Sequence, residues 1–400
     1  MTRQILKFVI VYICYTYCVY ARKFFFNYLD EITLEIDITP SSIGLIISIQ
    51  YGALILGKMI MSAAVDFIKP LKFLSLSVML VSSCIFMLGR TVNLEKVSFL
   101  IAMISFFQSG AWCVVAKLMT LYFNKSSLPF LLSILITGNN LAGMLLLVRF
   151  DNQNWKDTLV IAGGVGVASV VLLHLVFESD GEDKPNTDGA IIEKKEMSTA
   201  SDFNKFMKLL SRGELLFVAI SYLFVLECRA LADTRNIMYV KSFASVNSEQ
   251  FQIAYEIGAI LGALSTGFIA TKLPLSFCSK GITILALVLT AVLYLTNEPS
   301  IICMFGIGAS INMGISFWET VGIFLTPPDL LGKSVAFVST ISNLGPILTG
   351  FPFEYILSVI GEHSIANIFF AQIIIYSAVI LLKYGYTNIL LSRQSIKKLE

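Results

Sequence analysis

Apolar residues fall in about twelve runs, each close to the roughly 20 residues that a helix needs to cross about 30 Å of hydrocarbon. They lie near 5–28, 41–63, 71–89, 97–123, 127–149, 157–177, 213–240, 250–271, 274–296, 299–325, 332–358 and 365–388. Backbone N–H and C=O groups in lipid must be satisfied within their own segment, so unbroken apolar runs of this length predict helices. The period-two alternation that would signal a barrel is missing. Between the sixth and seventh runs the pattern inverts. Glu178, Asp180, Glu182, Asp183 and Lys184 precede Pro185, and Glu193, Lys194, Lys195 and Glu196 follow before Arg212. A stretch with both signs of charge and little to bury predicts a partly disordered linker between two six-helix halves. The expected organisation is a bundle over 1–177, a cytosolic linker over 178–212, a second bundle over 213–388 and a cytosolic tail over 389–400.

Composition removes the alternatives. With 56% hydrophobic and 14% charged residues and a mean hydropathy of +0.78, the chain is too apolar for a water-soluble core of this length. Cations gather on one side of the predicted spans: Arg3, Lys7, Lys69, Lys72, Lys125, the linker, Lys272, Lys280, Lys333, Arg393, Lys397 and Lys398. The opposite loop holding Asp30, Glu31, Glu35 and Asp37 is acidic. The positive-inside bias therefore predicts cytosolic termini. The seven cysteines lie almost entirely in apolar spans without metal-ligand spacing, and His174 and His363 have no partner at ligand spacing, so no metal or other cofactor is expected. Gly163, Gly164 and Gly166 sit inside an apolar helix and read as close helix packing, not as a phosphate loop.

Two arginines break the apolar pattern at matching places, Arg22 in the first span and Arg229 in the seventh, 207 positions apart. A charge within a spanning helix costs about 2.5–3.5 kcal/mol on insertion scales and normally faces a water-filled cavity. Near the same offset, Gly52 to Gly57 corresponds to Gly258 to Gly262, and Asn140-Leu141-Ala142-Gly143 to Asn343-Leu344-Gly345. These matches predict two parallel repeats with substrate bound at the bilayer midplane. Two guanidinium forks suit a phosphate monoester, which offers several acceptor oxygens. Facing each other in an empty site, two such cations would repel, which predicts obligatory exchange rather than leak. Other readings stand beside these. Arg22 and Lys23 could snorkel from a shorter helix. Asp233, four residues beyond Arg229, could neutralise it within the helix. Glu256 and Glu319 are intramembrane carboxylates that suit either gating and proton coupling or structural ion pairing. Tyr15, Asn139, Asn140 and Asn343 could donate hydrogen bonds to a phosphorylated sugar or could bridge helices.

Several segments together resemble the major facilitator superfamily and, within it, the organophosphate:phosphate antiporters. They are Arg22-Lys23-Phe24 with Tyr15 before it, Trp112 followed by Lys117 and Phe123, Asn139 to Gly143, and Asn154-Trp155-Lys156-Asp157-Thr158. Glu256, Pro327 to Gly332, Asn343 to Gly345 and Gly350 to Phe353 continue the likeness through the second half. The family's Arg-Gly and Trp before the fifth-helix asparagine are replaced by Pro129-Phe130 and Leu135, and only Asp66 and Lys69 of its loop pattern after the second helix are kept. The resemblance implies an all-helical membrane protein with twelve transmembrane helices in two pseudo-symmetric bundles. It also implies exchange of a sugar phosphate, with glucose 6-phosphate the first expectation, for inorganic phosphate by alternating access. Arg22, Lys23, Tyr15, Asn139 and Arg229 are then the substrate-binding candidates, and Asp66, Asp233, Glu256 and Glu319 the gating or coupling candidates. Partners would be the phosphate ester, inorganic phosphate and the bilayer, with functional coupling to a sugar-phosphate-handling enzyme and no nucleic acid. Lys397 and Lys398 resemble a dilysine retrieval signal, which predicts the endoplasmic-reticulum membrane over a plasma or other organelle membrane. A proton-coupled or facilitative carrier of another organic anion is the alternative, and a non-transporting sugar-phosphate sensor a more remote one. No nucleophile-and-base constellation points to an enzyme.

Overall fold

The computed structural model describes residues 2–36, 38–64, 68–123, 128–147, 154–178, 207, 213–236, 240, 247–272, 284–285, 288–292, 300–324 and 331–360. Asp66, most of the linker, most of the ninth predicted span, and the twelfth span and tail lie outside them. Every regular element among the described residues is helical, as lipid demands of a chain this apolar. Six helical spans there have the length and apolar character to cross a membrane: Arg3–Asn27, Ser41–Met61, Pro70–Leu88, Leu94–Met119, Trp155–Phe177 and Ile301–Trp318. The chain divides into two compact units, Met1–Met197 and Ser198–Glu400.

In the first unit α1 (Thr2–Asn27), α3 (Pro40–Ala64), α4 (Pro70–Leu88), α7 (Leu128–Leu145) and α8 (Trp155–Glu178) follow the first, second, third, fifth and sixth predicted spans. Two features differ from expectation. The acidic loop after the first span is largely a short helix, α2 (Leu29–Glu35), because Leu29, Ile32 and Ile36 recur at helical spacing and are buried. The fourth span is two helices, α5 (Leu94–Gln108) and α6 (Ala111–Tyr122), interrupted at Ser109-Gly110. Neighbours crowd this point: a Cβ on Gly110 would sit 2.8 Å from Met61 Cβ and 2.9 Å from the Phe73 ring, so only glycine fits. Local sequence starts the helices where side chains can satisfy free N–H groups. Asn93 accepts from Lys96 N at 3.1 Å before α5, and Asn154 accepts from Asp157 N at 2.9 Å before α8.

Close packing uses the glycines. A Cβ on Gly163 would meet Phe86 and Ser82 of α4, and one on Gly166 would meet Ser82 and Tyr17, whereas Gly164 has nothing within 4 Å. At one end of the unit the buried Lys7 ammonium lies 5.2 Å from the Tyr122 ring centre and 5.5 Å from that of Phe177, joining α1, α6 and α8. Elsewhere Lys156 pairs with Glu35, tying α8 to α2. These side chains are 29% and 38% exposed, so a Glu35→Gln/Lys156→Met double-mutant cycle in thermal unfolding is expected to give a coupling below about 1 kcal/mol. A larger value would show that the pair is shielded from water.

The second unit contains α9 (Glu214–Leu231), continued by a π-helical turn over Ala232–Asn236, then α10 (Ser248–Lys272) and α11 (Ile301–Phe324). The eleventh predicted span is broken into α12 (Leu331–Ser342), α13 (Leu344–Leu348) and α14 (Phe351–Ile360). Pro346 has no N–H for a helical bond and so favours a break here. α10 and α11 meet backbone to backbone: a Cβ on Gly258 would strike Phe305 O, one on Gly262 would strike Ala309 O, and one on Gly308 would strike Tyr255 O. Gly57 of α3 is similarly pressed against Phe106 and Ser109. The 207-residue offset recurs as a contact. Gly138 of α7 abuts Thr16 of α1, and Gly345 of α13 abuts Leu223 of α9. Each unit therefore packs its fifth span against its first through a glycine at the equivalent place.

Candidate functional site

Helix geometry sets the first-unit candidates on one face. Tyr15 and Arg22 are seven residues apart on α1, close to two full turns, so their side chains stack about 10.5 Å apart along the axis. Tyr15 leans on Trp112 of α6, with ring centres 5.6 Å apart and planes tilted by 54°. Its ring also fills the space left by Gly138 of α7, where a Cβ would lie 3.1 Å from Tyr15 Cδ1. One residue on, Asn139 is half-buried, and Tyr12 and Thr137 share a 3.1 Å hydroxyl hydrogen bond alongside. Tyr15 thus lies at the α1–α7 seam, against Gly138, the residue before Asn139.

Arg22 is half-buried, and among the described residues its guanidinium has neither a hydrogen bond nor an ion pair. Its backbone carbonyl instead accepts from Gln50 Nε2 of α3 at 2.9 Å. Gln50 is 1% exposed, so this part-buried bond meets little competition from water and ties the α1 turn that carries the arginine to α3. Lys23 is half-buried beside it, its carbonyl accepting from Asn27 Nδ2 at 3.3 Å. α1 is about 39 Å long at 1.5 Å per residue, longer than the hydrocarbon is thick, and its residues 3–6 are exposed.

Arg229 has a different environment. Its Nε lies 3.6 Å from Asp233 Oδ2 one turn on, with the two side chains only 11% and 22% exposed. Asp233 stands in the π-helical turn, a distortion that often accompanies functional sites. Glu256 and Tyr255 of α10 and Tyr222 of α9 also lie within electrostatic range of Arg229, and Glu256 is 2% exposed. The guanidinium therefore has Asp233 beside it and Glu256 within electrostatic range, so the second-unit cation is paired within its own unit. The bare arginine–arginine repulsion used above to argue for obligatory exchange does not describe this side. The Glu319 backbone lies in α11, but its side chain falls outside the described residues, as does all of Asp66.

Some participants in these surroundings are not distinguishable in the sequence. Gln50 and Tyr255 sit among other polar residues of their helices, Ser48 and Tyr51 in one case and Gln252 and Glu256 in the other, and only their spatial neighbours distinguish them from ordinary helix-bridging residues. Asn343 donates to Ser339 O at 2.6 Å and is buried, consistent with a part in the α12–α13 break.

Residues 11–350 match the description Major Facilitator Superfamily. The chain belongs to the major facilitator superfamily. Among solved superfamily-like folds, a bacterial homolog of the human lysosomal transporter Spinster, in its inward-facing and unoccupied conformation, aligns with TM-score 0.73 at 14% identity, covering 98% of both chains. The nucleoside transporter NupG aligns with TM-score 0.70 at 14% identity, over 98% of this chain and 99% of that one. At such identities the likeness shows the fold alone. In sequence, the chain is 20% identical over 290 residues to a Chlamydia pneumoniae protein named "Probable hexose phosphate transport protein", covering 66% of this chain and 63% of that protein. It is 21% identical over 289 residues to a protein of the same name from Chlamydia trachomatis, covering 65% of this chain and 62% of that one. The chain thus spans less than two thirds of the length of these relatives.

Proposed function

We propose that this superfamily member is a membrane antiporter that exchanges a phosphorylated sugar, with glucose 6-phosphate as first candidate, for inorganic phosphate by alternating access. The observation that carries the proposal is Arg22, a permanently charged fork within the first span that has no protein partner among the described residues. A cation kept in that position without a counter-ion is complementary to an anion that comes and goes. Tyr15, two turns away on the same face and braced by Trp112, suits the sugar or a phosphate oxygen, while Asn139 on α7 offers both donor and acceptor. Lys23 adds positive potential that draws anions in. The hexose phosphate proteins named above support the cargo class. An endoplasmic-reticulum address belongs to the same proposal and is supported by Lys397-Lys398 alone; the bacterial relatives add nothing to it.

Arg229 would join the phosphate only by loosening its hold on Asp233. In this reading Asp233 is an internal competitor: it keeps the guanidinium neutralised while no anion is bound, and the arriving phosphate displaces it. Removing the competitor's charge with Asp233→Asn is expected to tighten phosphate binding several-fold and to slow turnover, because the bound state loses its rival. Calorimetric phosphate titration and exchange rates would check this. Unchanged affinity would leave Asp233 a purely structural partner of Arg229.

The deciding experiment for the function is uptake of labelled hexose phosphates into proteoliposomes preloaded with inorganic phosphate. Uptake that requires internal phosphate is the expected result. Release of preloaded phosphate at the same rate with and without an external phosphate ester would show that the protein is not an exchanger.

A further inference from the structure

We propose that Glu227 is a proton-binding site of the second unit, covered and uncovered by the short helix α13. Coupling of that proton to transport rests on the antiport reading; the proton site itself does not. Glu227 lies on α9, is 5% exposed, and its Oε2 is enclosed without a hydrogen-bond partner among the described residues. Its face of the helix is covered by α13, since a Cβ on Gly345 would lie 3.1 Å from Glu227 N and would strike Leu223 O one turn earlier. Arg229 is only two residues away, but two residues turn the helix by about 200°, so the Arg229–Asp233 pair occupies the other side.

Among the described residues Glu227 has no ion-pair partner. α13 reads Leu-Gly-Pro-Ile-Leu and carries none. α12 has Lys333 alone, near its start and twelve residues before Gly345, with its side chain outside the described residues. α11 has Cys303 in its first turn and Glu319 near its far end. α9 itself contributes Glu214 at its start, Tyr222, Cys228 and Arg229, and the π-helical turn Asp233 and Arg235, the side chains of Glu214 and Arg235 lying outside the described residues. A bare carboxylate enclosed in this way is far more costly than the neutral acid, so closing α13 over Glu227 takes up one proton from water.

The cover is separable. α12 stops at Ser342, α13 runs only from Leu344 to Leu348, and the turn at Thr349-Gly350 precedes α14. Five residues broken from their helix at both ends can shift without dragging a whole span, and interrupted membrane helices of this kind are where transporters bind coupling ions. With α13 displaced, water reaches the carboxyl and the proton leaves to whichever side is open. With α13 closed, the proton is required. The sign follows: the covered state is favoured at low pH and becomes harder to reach as pH rises, so exchange slows on the alkaline side.

The test uses the full chain in two assays. In lipid nanodiscs without phosphate, an infrared pH titration of the wild type should show a protonated-carboxyl C=O band that Glu227→Gln lacks and Glu227→Asp retains at a shifted position. In proteoliposomes, phosphate–phosphate exchange by the wild type should fall several-fold from mildly acidic to mildly alkaline pH, while Glu227→Gln holds its rate. The difference between the two proteins is the readout, since phosphate itself titrates in this range. An identical band and identical pH profiles in wild type and Glu227→Gln would overturn the proposal. If Glu227→Gln fails to fold, Glu227→Asp decides: an unmoved band and an unmoved profile overturn it equally. A wild type that shows the band without any exchange would uphold the proton site while removing the antiport reading.

Discussion

Arg22→Ala is expected to lower hexose phosphate uptake into phosphate-loaded proteoliposomes by about 30-fold or more, because losing one charge-assisted partner of a desolvated anion costs roughly 2 kcal/mol or more. Arg22→Lys should recover only part of the rate, since an ammonium supplies a point charge but no fork for two phosphate oxygens. Expression and melting temperature should stay near those of the wild type, because the Arg22 guanidinium makes no hydrogen bond or ion pair with the described residues. Arg229→Ala should also abolish uptake, but with a loss of stability, since it leaves Asp233 and the buried Glu256 without their cation. Combining it with Asp233→Asn should restore much of the stability and none of the transport. Uptake within two-fold of the wild type in Arg22→Ala would remove the anion site from α1.

Gly308→Val is expected to unfold the second unit. The first carbon of any side chain there would strike Tyr255 O and lie 3.2 Å from Ala259 N, both backbone atoms of the facing helix. Overpacking of this kind typically costs about 1–3 kcal/mol when side chains can give way, and more when only a backbone shift relieves it. Gly164→Val is the matched control, with the same change in volume at a glycine that has nothing within 4 Å. Thermal-shift size-exclusion chromatography in detergent should show Gly308→Val aggregated or melting far below Gly164→Val. Equal melting of the two would mean that α10 and α11 do not pack as described.

What could be read in advance and what could not divides along physical lines. The apolar runs, the polar stretch after Phe177 and the two intramembrane arginines were legible because lipid makes each a large local free-energy difference. The 207-residue offset from Arg22 to Arg229 was legible as spacing; its recurrence between Gly138–Thr16 and Gly345–Leu223 is visible only as contact. Breaks at Ser109-Gly110 and Asn343 were not, since a continuous apolar run looks the same whether or not a neighbour crowds its middle. α2 was hidden because three of its seven residues, Asp30, Glu31 and Glu35, are acidic, which leaves too few apolar positions for a helical period to stand out.

By itself the sequence determined that this chain is helical, belongs in a bilayer, and carries an arginine within an apolar run of each half, because hydrophobic transfer and backbone satisfaction act on each segment alone. Only the tertiary structure decided that the Arg22 guanidinium has no partner among the described residues while Arg229 is held by Asp233 near Glu256, and that Glu227 is enclosed beneath α13. The physical reason is that a charge's role depends on which groups lie within a few ångströms of it, and those neighbours come from helices distant in the chain.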